Sequence, residues 1–148
     1  MKNIVFFLHL FIVSNLCSQE NVYNLKNGFI AEGYDVVAYF ENKATKGNKQ
    51  FTTDFDGVKF QFSSNENLAT FKKNPTKYIP QYGGFCAYAI GKNGEKVSIN
   101  PKTFEIGEGK LYLFYNSWGT NTLEMWQKED PNKLQKKADE NWKKIVKN

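Results

Sequence analysis

Residues 55–78 read FDGVKFQFSSNENLATFKKNPTKY, and the hydrophobic period changes inside them. Around Asp56-Gly57 apolar and polar residues alternate, and an Asp-Gly pair suits the two positive φ angles of a tight hairpin loop. The strands expected are Phe51 to Asp54 and Val58 to Phe62, with Phe60 and Phe62 on one face and Gln61 opposite. Ser64 then offers an N-cap, and Leu68, Phe71 and Lys72 follow at helical spacing. The residue before Pro75 is driven out of the helical region, so the helix stops there. Pro75 starts a short further turn reaching Tyr78, and Pro80 closes it. A hairpin feeding directly into a helix places the chain in the α+β class.

Working outward, Asp35 to Phe40 (DVVAYF) is β-branched and aromatic and predicts a strand. Residues 20–33 predict an extended lead-in, and Glu41 to Gln50, rich in Lys, Asn and Gly, a surface loop. Gly91, Asn93 and Gly94 punctuate a turn. Val97 to Ile99, Thr103 to Ile106 and Lys110 to Tyr115 read as strands, the last two joined through Glu108-Gly109. Asn121-Thr122-Leu123-Glu124 has the spacing of a capping box, and Asp130-Pro131 pairs a cap with proline at the first helical position. Leu134, Ala138, Trp142 and Ile145 then form an apolar stripe, while Lys136, Lys137, Lys143 and Lys144 mark a solvated face. The expected architecture is a small antiparallel sheet with short helices inserted and further helices at the C-terminus.

The N-terminus sets an address. Lys2 precedes an apolar run, Ile4 to Val13, broken only by His9, and Ser14 to Gln19 closes it with mostly polar residues. That is the order of a secretory signal, expected to occupy residues 1–19 with cleavage near Ser18 or Gln19. The run of about ten residues is too short to span roughly 30 Å of hydrocarbon. The alternative is a lipid anchor at Cys17, which bulky Leu16 disfavours. The expected product is one domain of about 130 residues, 20–148, in a periplasmic or extracellular space.

Composition excludes more than it assigns. His9 is the sole histidine and would leave with the signal, and all 20 basic residues are lysines. A mature chain without histidine has no Ser-His-Asp triad, no Cys-His dyad and no zinc site of His and Cys ligands. Without arginine it has no bidentate clamp for phosphate. The net charge of +5 is interleaved with acids along the chain, which describes a solvated surface, not a nucleic-acid stripe. No nucleic-acid partner and no transmembrane segment are expected; oligomeric state is left open.

The hairpin–helix segment resembles the YHS domain: Phe62, Ser64, Phe71, Pro75 and Tyr78 fall in matching register. Residues 35–40, Pro80-Gln81-Tyr82-Gly83-Gly84, Lys110-Leu111-Tyr112-Leu113, Trp126 and Ala138-Asp139-x-x-Trp142 resemble a group of exported YHS proteins. The resemblance implies a YHS core at about 34–80 and an extension over 81–148. Some YHS modules hold heavy metals through two cysteines on this segment, and the matching positions here are Ser63 and Asn67, poor ligands for soft metals. The resemblance therefore implies a fold and carries no reaction with it.

The candidate site is Tyr82-Gly83-Gly84-Phe85-Cys86-Ala87-Tyr88. Two glycines permit a tight turn or a close backbone approach, and a lone thiol follows. Cys86 reads as a ligand for a metal such as copper, with Met125 as a further thioether, or as a small buried hydrophobe. Tyr82, Gly83, Gly84, Tyr88 and Asp35 complete the candidate ligand-binding set, Asp35 being either a site acid or a strand-start anchor. The function expected is a non-enzymatic binding module for a metal ion or small ligand near Cys86. The alternatives are a thiol-dependent redox protein and an interaction domain with Cys86 in its core.

Overall fold

A computed structural model describes residues 22–147. The signal-peptide reading over residues 1–19, with His9 and Cys17, lies outside the described residues. Among those described, no helix is long and apolar enough to cross a membrane.

The architecture is α+β. The lead-in is a small hairpin, β1 (Leu25–Lys26) and β2 (Phe29–Ile30), instead of a bare extended segment. β3 (Asn48–Phe55) and β4 (Val58–Phe62) form the expected hairpin around Asp56-Gly57, and β3 begins inside the stretch expected to be loop. β2 lies parallel to β4, giving the order β1-β2-β4-β3 and one parallel pair in an otherwise antiparallel sheet. α1 (Asn65–Lys73) starts at Ser64, whose hydroxyl accepts from the Asn67 N–H, and α2 (Pro75–Tyr78) follows. Phe60 and Phe62 pack on Phe71 with ring centroids 4.6 and 5.1 Å away. The changing period of residues 55–78 thus becomes one aromatic cluster. Gln61 points the other way yet is also buried, beneath Gly33 and Gly47, where its Nε2 donates to the Gly47 carbonyl at 2.6 Å.

The second half is built on a hairpin, β5 (Asn100–Gly107) and β6 (Lys110–Phe114), with α3 (Ala87–Asn93) before it. Leu111, Tyr112, Leu113 and Phe114 are all buried, so β6 is covered on both faces. A small hairpin, β7 (Asn116–Ser117) and β8 (Thr120–Asn121), leads to α4 (Thr122–Lys128) and α5 (Pro131–Ile145). Asp130 caps α5 as expected, and Asn121 caps α4 through the Leu123 N–H, with Glu124 taking the Asn121 side-chain amide in place of the backbone N–H of a capping box. Trp126, the bulkiest fully buried side chain, packs against Phe114 at 5.6 Å.

Three local expectations are corrected. Asp35 to Phe40 is not a strand: the Asp35 carboxylate takes the Val37 and Ala38 N–H groups, and the chain coils into a short 3-10 turn over Ala38–Glu41. A side chain that captures nearby backbone donors removes them from any ladder. Val97 to Ile99 is not a strand either; the Val97 carbonyl accepts from the Cys86 N–H, and β5 begins only at Asn100. Gly91 does not mark a turn but lies inside α3, where an added Cβ would sit 2.8 Å from the Leu134 carbonyl oxygen of α5. It is the contact point of two helices, and Gly94, at φ 75°, is the residue that ends α3.

Candidate functional site

The Tyr82-Gly83-Gly84 segment is a left-handed corner. Tyr82, Gly83 and Gly84 carry φ of 54°, 59° and 81° in succession. Gly83 is constrained twice, because a Cβ there would lie 1.8 Å from the Val22 carbonyl oxygen. The segment Val22–Asn24 runs directly across it. The Asn24 N–H donates to the Gly83 carbonyl at 2.8 Å, and Asn24 Nδ2 donates to the Gly84 carbonyl at 3.0 Å. Close backbone approach is therefore the reason for glycine here.

Tyr82 is held in the left-handed region, which non-glycine residues rarely occupy, by contacts on every side. Its ring lies 6.0 Å from Tyr112 and 6.2 Å from Trp142, and its hydroxyl donates to Asp139 Oδ1 at 2.9 Å. Burial raises the Tyr82 phenol far above its ordinary value, and the Asp139 charge adds to this. Tyr112 is pushed up to about 12, first by burial and then by Asp139. Both phenols therefore stay neutral at ordinary pH, and Tyr82 serves as a donor.

Beside this corner opens a cleft of about 520 Å³. Ile79, Pro80, Tyr82 and Gly83 form one wall, Asp139, Trp142 and Lys143 of α5 with Val146 just past its end another, with Val22, Tyr23 and Lys110 at the margins. The α5 contributors recur at helical spacing along one face, which is how one helix delivers an acid, a ring and a lysine to one place. Asp139 and Trp142 belong to the sequence pattern noted above. Lys143 reads from sequence only as surface charge, and Lys110 only as a strand start.

The other sequence-derived candidates are elsewhere. Gly84 packs against Ile30 and Pro80 behind the corner. Cys86 is fully buried; its Sγ lies 3.3 Å from Thr122 Oγ1 and accepts from the Tyr115 N–H at 3.4 Å. It precedes α3 but makes no side-chain cap to that helix. Met125 is 39% exposed on α4. Tyr88 donates to Glu129 at 2.6 Å, and Lys92 joins the same carboxylate at 3.0 Å, an arrangement that lowers the Glu129 pKa. Among the described residues no three His, Cys, Asp or Glu side chains are grouped to hold a metal ion.

Asp35 is fully buried and saturated. Oδ1 accepts from the Val37 and Ala38 N–H groups, and Oδ2 from the Ser63 N–H, Ser63 Oγ and Asn67 Nδ2 at 2.6 to 2.8 Å. Ser63 and Asn67 are the two positions that the family resemblance sets opposite metal-binding cysteines. In this chain they hold a carboxylate that ties the start of the domain to β4 and α1. No protein-family model matches the chain, and no curated protein or solved structure matches it significantly.

Proposed function

We propose that this chain is an exported, YHS-like, non-catalytic binding module that takes a small organic molecule in the Tyr82–Trp142 cleft. The observation that carries the reading is convergence: the left-handed corner, the N-terminal segment and one face of α5 meet around a single cavity. Its volume of about 520 Å³ lies within the range of small-molecule sites. The walls combine ring and aliphatic surface with the polar side chains of Thr76, Gln81, Asp139 and two lysines. Lys110 and Lys143 suit an acidic group, the rings of Tyr82 and Trp142 suit an apolar body, and the Tyr82 hydroxyl orients Asp139. The ligand class is therefore a small carboxylate with an apolar or aromatic body.

The YHS assignment rests on the register of residues 55–78, and export rests on Lys2 followed by the apolar run. The full burial of Cys86 favours a core role for that thiol over a copper-binding or redox role, since both of those need access to the sulfur. Amide NMR titration with benzoate, phenylacetate and hexanoate tests the cleft. Shifts concentrated at Tyr82, Gly83 and Trp142, weakened at least fivefold by Trp142→Ala and by Lys143→Glu, are the expected result. Shifts absent at millimolar probe, or unchanged in both variants, would remove the proposal.

A further inference from the structure

Among the described residues, four hairpins close through two-residue loops, and all four have glycine second: Asn27-Gly28, Asp56-Gly57, Glu108-Gly109 and Trp118-Gly119. In each, both residues have positive φ, between 50° and 82°. This loop geometry favours asparagine or aspartate ahead of the glycine. Glu108 and Trp118 both depart from that preference, at φ 50° and 51°, and Trp118 is the one bulky aromatic among the four, a strained choice at that place. The residue is 96% exposed, so the fold gains nothing from the indole. A single exposed apolar residue needs no explanation by itself. An indole placed where the backbone prefers asparagine, and left without contacts, does.

Next to the tip lies a second groove of about 530 Å³ with a different chemistry. Asn116 and Ser117 of β7 form part of it, and Lys26, Lys46 and Lys102 face it with Glu32 as the one acid. Lys26 is paired with Glu32 at 2.8 Å, and Lys46 lies over the Tyr34 ring at 5.9 Å. The hairpin that carries Trp118 thus adjoins, through Asn116 and Ser117, a groove with three lysines and one acid.

We infer that the Trp118 hairpin tip is an anchor that inserts into the headgroup region of an anionic bilayer. An indole that serves as a stacking platform lies against its own protein with one face covered; Trp118 has both faces free and suits insertion. Tryptophan is favoured at the membrane interface, where its ring is partly apolar and its N–H finds acceptors. The lysines of the adjacent groove select a negatively charged surface and make the attachment sensitive to salt. This site is independent of the Tyr82–Trp142 cleft.

Flotation with vesicles of phosphatidylcholine, alone or mixed with phosphatidylglycerol, tests the inference. Trp118→Asn is the informative variant, because asparagine suits the loop and leaves the fold intact. Wild type and variants share the same N-terminal run and are prepared identically. The expected result is preferential, salt-sensitive binding to the anionic vesicles, reduced at least tenfold by Trp118→Asn and severalfold by Lys102→Glu. Brominated lipid should quench a fluorescence component present in wild type and missing from Trp118→Asn. Equal partition of wild type and Trp118→Asn, equal binding to both vesicle types, or a Trp118-dependent dimer in sedimentation would each overturn it.

Discussion

Replacing Cys17 by serine leaves Cys86 as the sole thiol of the chain, and its rate of reaction with an aromatic disulfide reagent then reports one side chain. The Cys86 sulfur has no exposed surface and sits between the Tyr115 N–H of the β6–β7 connection and Thr122 at the start of α4. A reagent reaches it only when these elements separate. Their separation exposes Leu113, Phe114 and Trp126, so the opening approaches the global one in cost. For a domain at the low end of ordinary stability, about 5 kcal/mol, opening is populated roughly once in 5,000, and labelling slows by that factor. The assay compares the second-order labelling rate in native buffer with that in guanidinium. The expected ratio is about a thousandfold or more, with no further protection by Cu(I). A native rate within tenfold of the denatured rate would refute the reasoning and return Cys86 to the list of reactive thiols. Cys86→Ser complements it: a stability loss of about 1–3 kcal/mol from burying a hydroxyl, with carboxylate binding in the cleft unchanged.

Three further outcomes follow from the geometry. Asp35→Ala strips the partner from three N–H groups, those of Val37, Ala38 and Ser63, at about 1–3 kcal/mol each before relaxation. Calorimetry should show a loss of about 3–5 kcal/mol; a loss below about 1 kcal/mol would mean that water replaces the carboxylate. Gly83→Ala drives a Cβ into the Val22 carbonyl and must displace the Val22–Asn24 segment. Hydrogen exchange at the Asn24 amide should accelerate, and carboxylate binding should weaken; unchanged protection at Asn24 contradicts the close approach. At alkaline pH the buried phenols act together. Tyr39, Tyr82 and Tyr112 are all raised above 10.0, chiefly by burial, Tyr112 to about 12. The unfolded chain therefore ionises first, and stability present below pH 10 declines as pH rises towards about 12. Denaturant midpoints measured between pH 8 and pH 11 should fall; a flat profile would place these phenols in contact with water.

Wherever a signal was local, the chain could be read directly. The Asp56-Gly57 loop, the Ser64, Asn121 and Asp130 caps and the stop before Pro75 each depend on a side chain acting on backbone a few residues away. Local reading failed where a distant group intervened. Residues 35–40 have strand composition, but the Asp35 carboxylate, fixed by Ser63 and Asn67, coils them. Gly91 looks like punctuation until Leu134 arrives beside it. Two glycines mark the Tyr82-Gly83 corner in the sequence, where the nearest reactive group along the chain is the Cys86 thiol. In space the corner faces Asp139 and Trp142, 57 and 60 residues further on.

By itself the sequence determined the α+β class, the hairpin-to-helix core and the absence of arginine-dependent chemistry. Those follow from hydrophobic period and residue inventory, which are properties of the chain. Tertiary structure alone decided that the thiol is interior, that Asp35 is an anchor, that the cleft lies between the corner and α5, and that Trp118 stands in solvent at a hairpin tip. Burial, saturation of a carboxylate and the walls of a cavity are relations between segments far apart in sequence. No local pattern encodes them until the elements have packed.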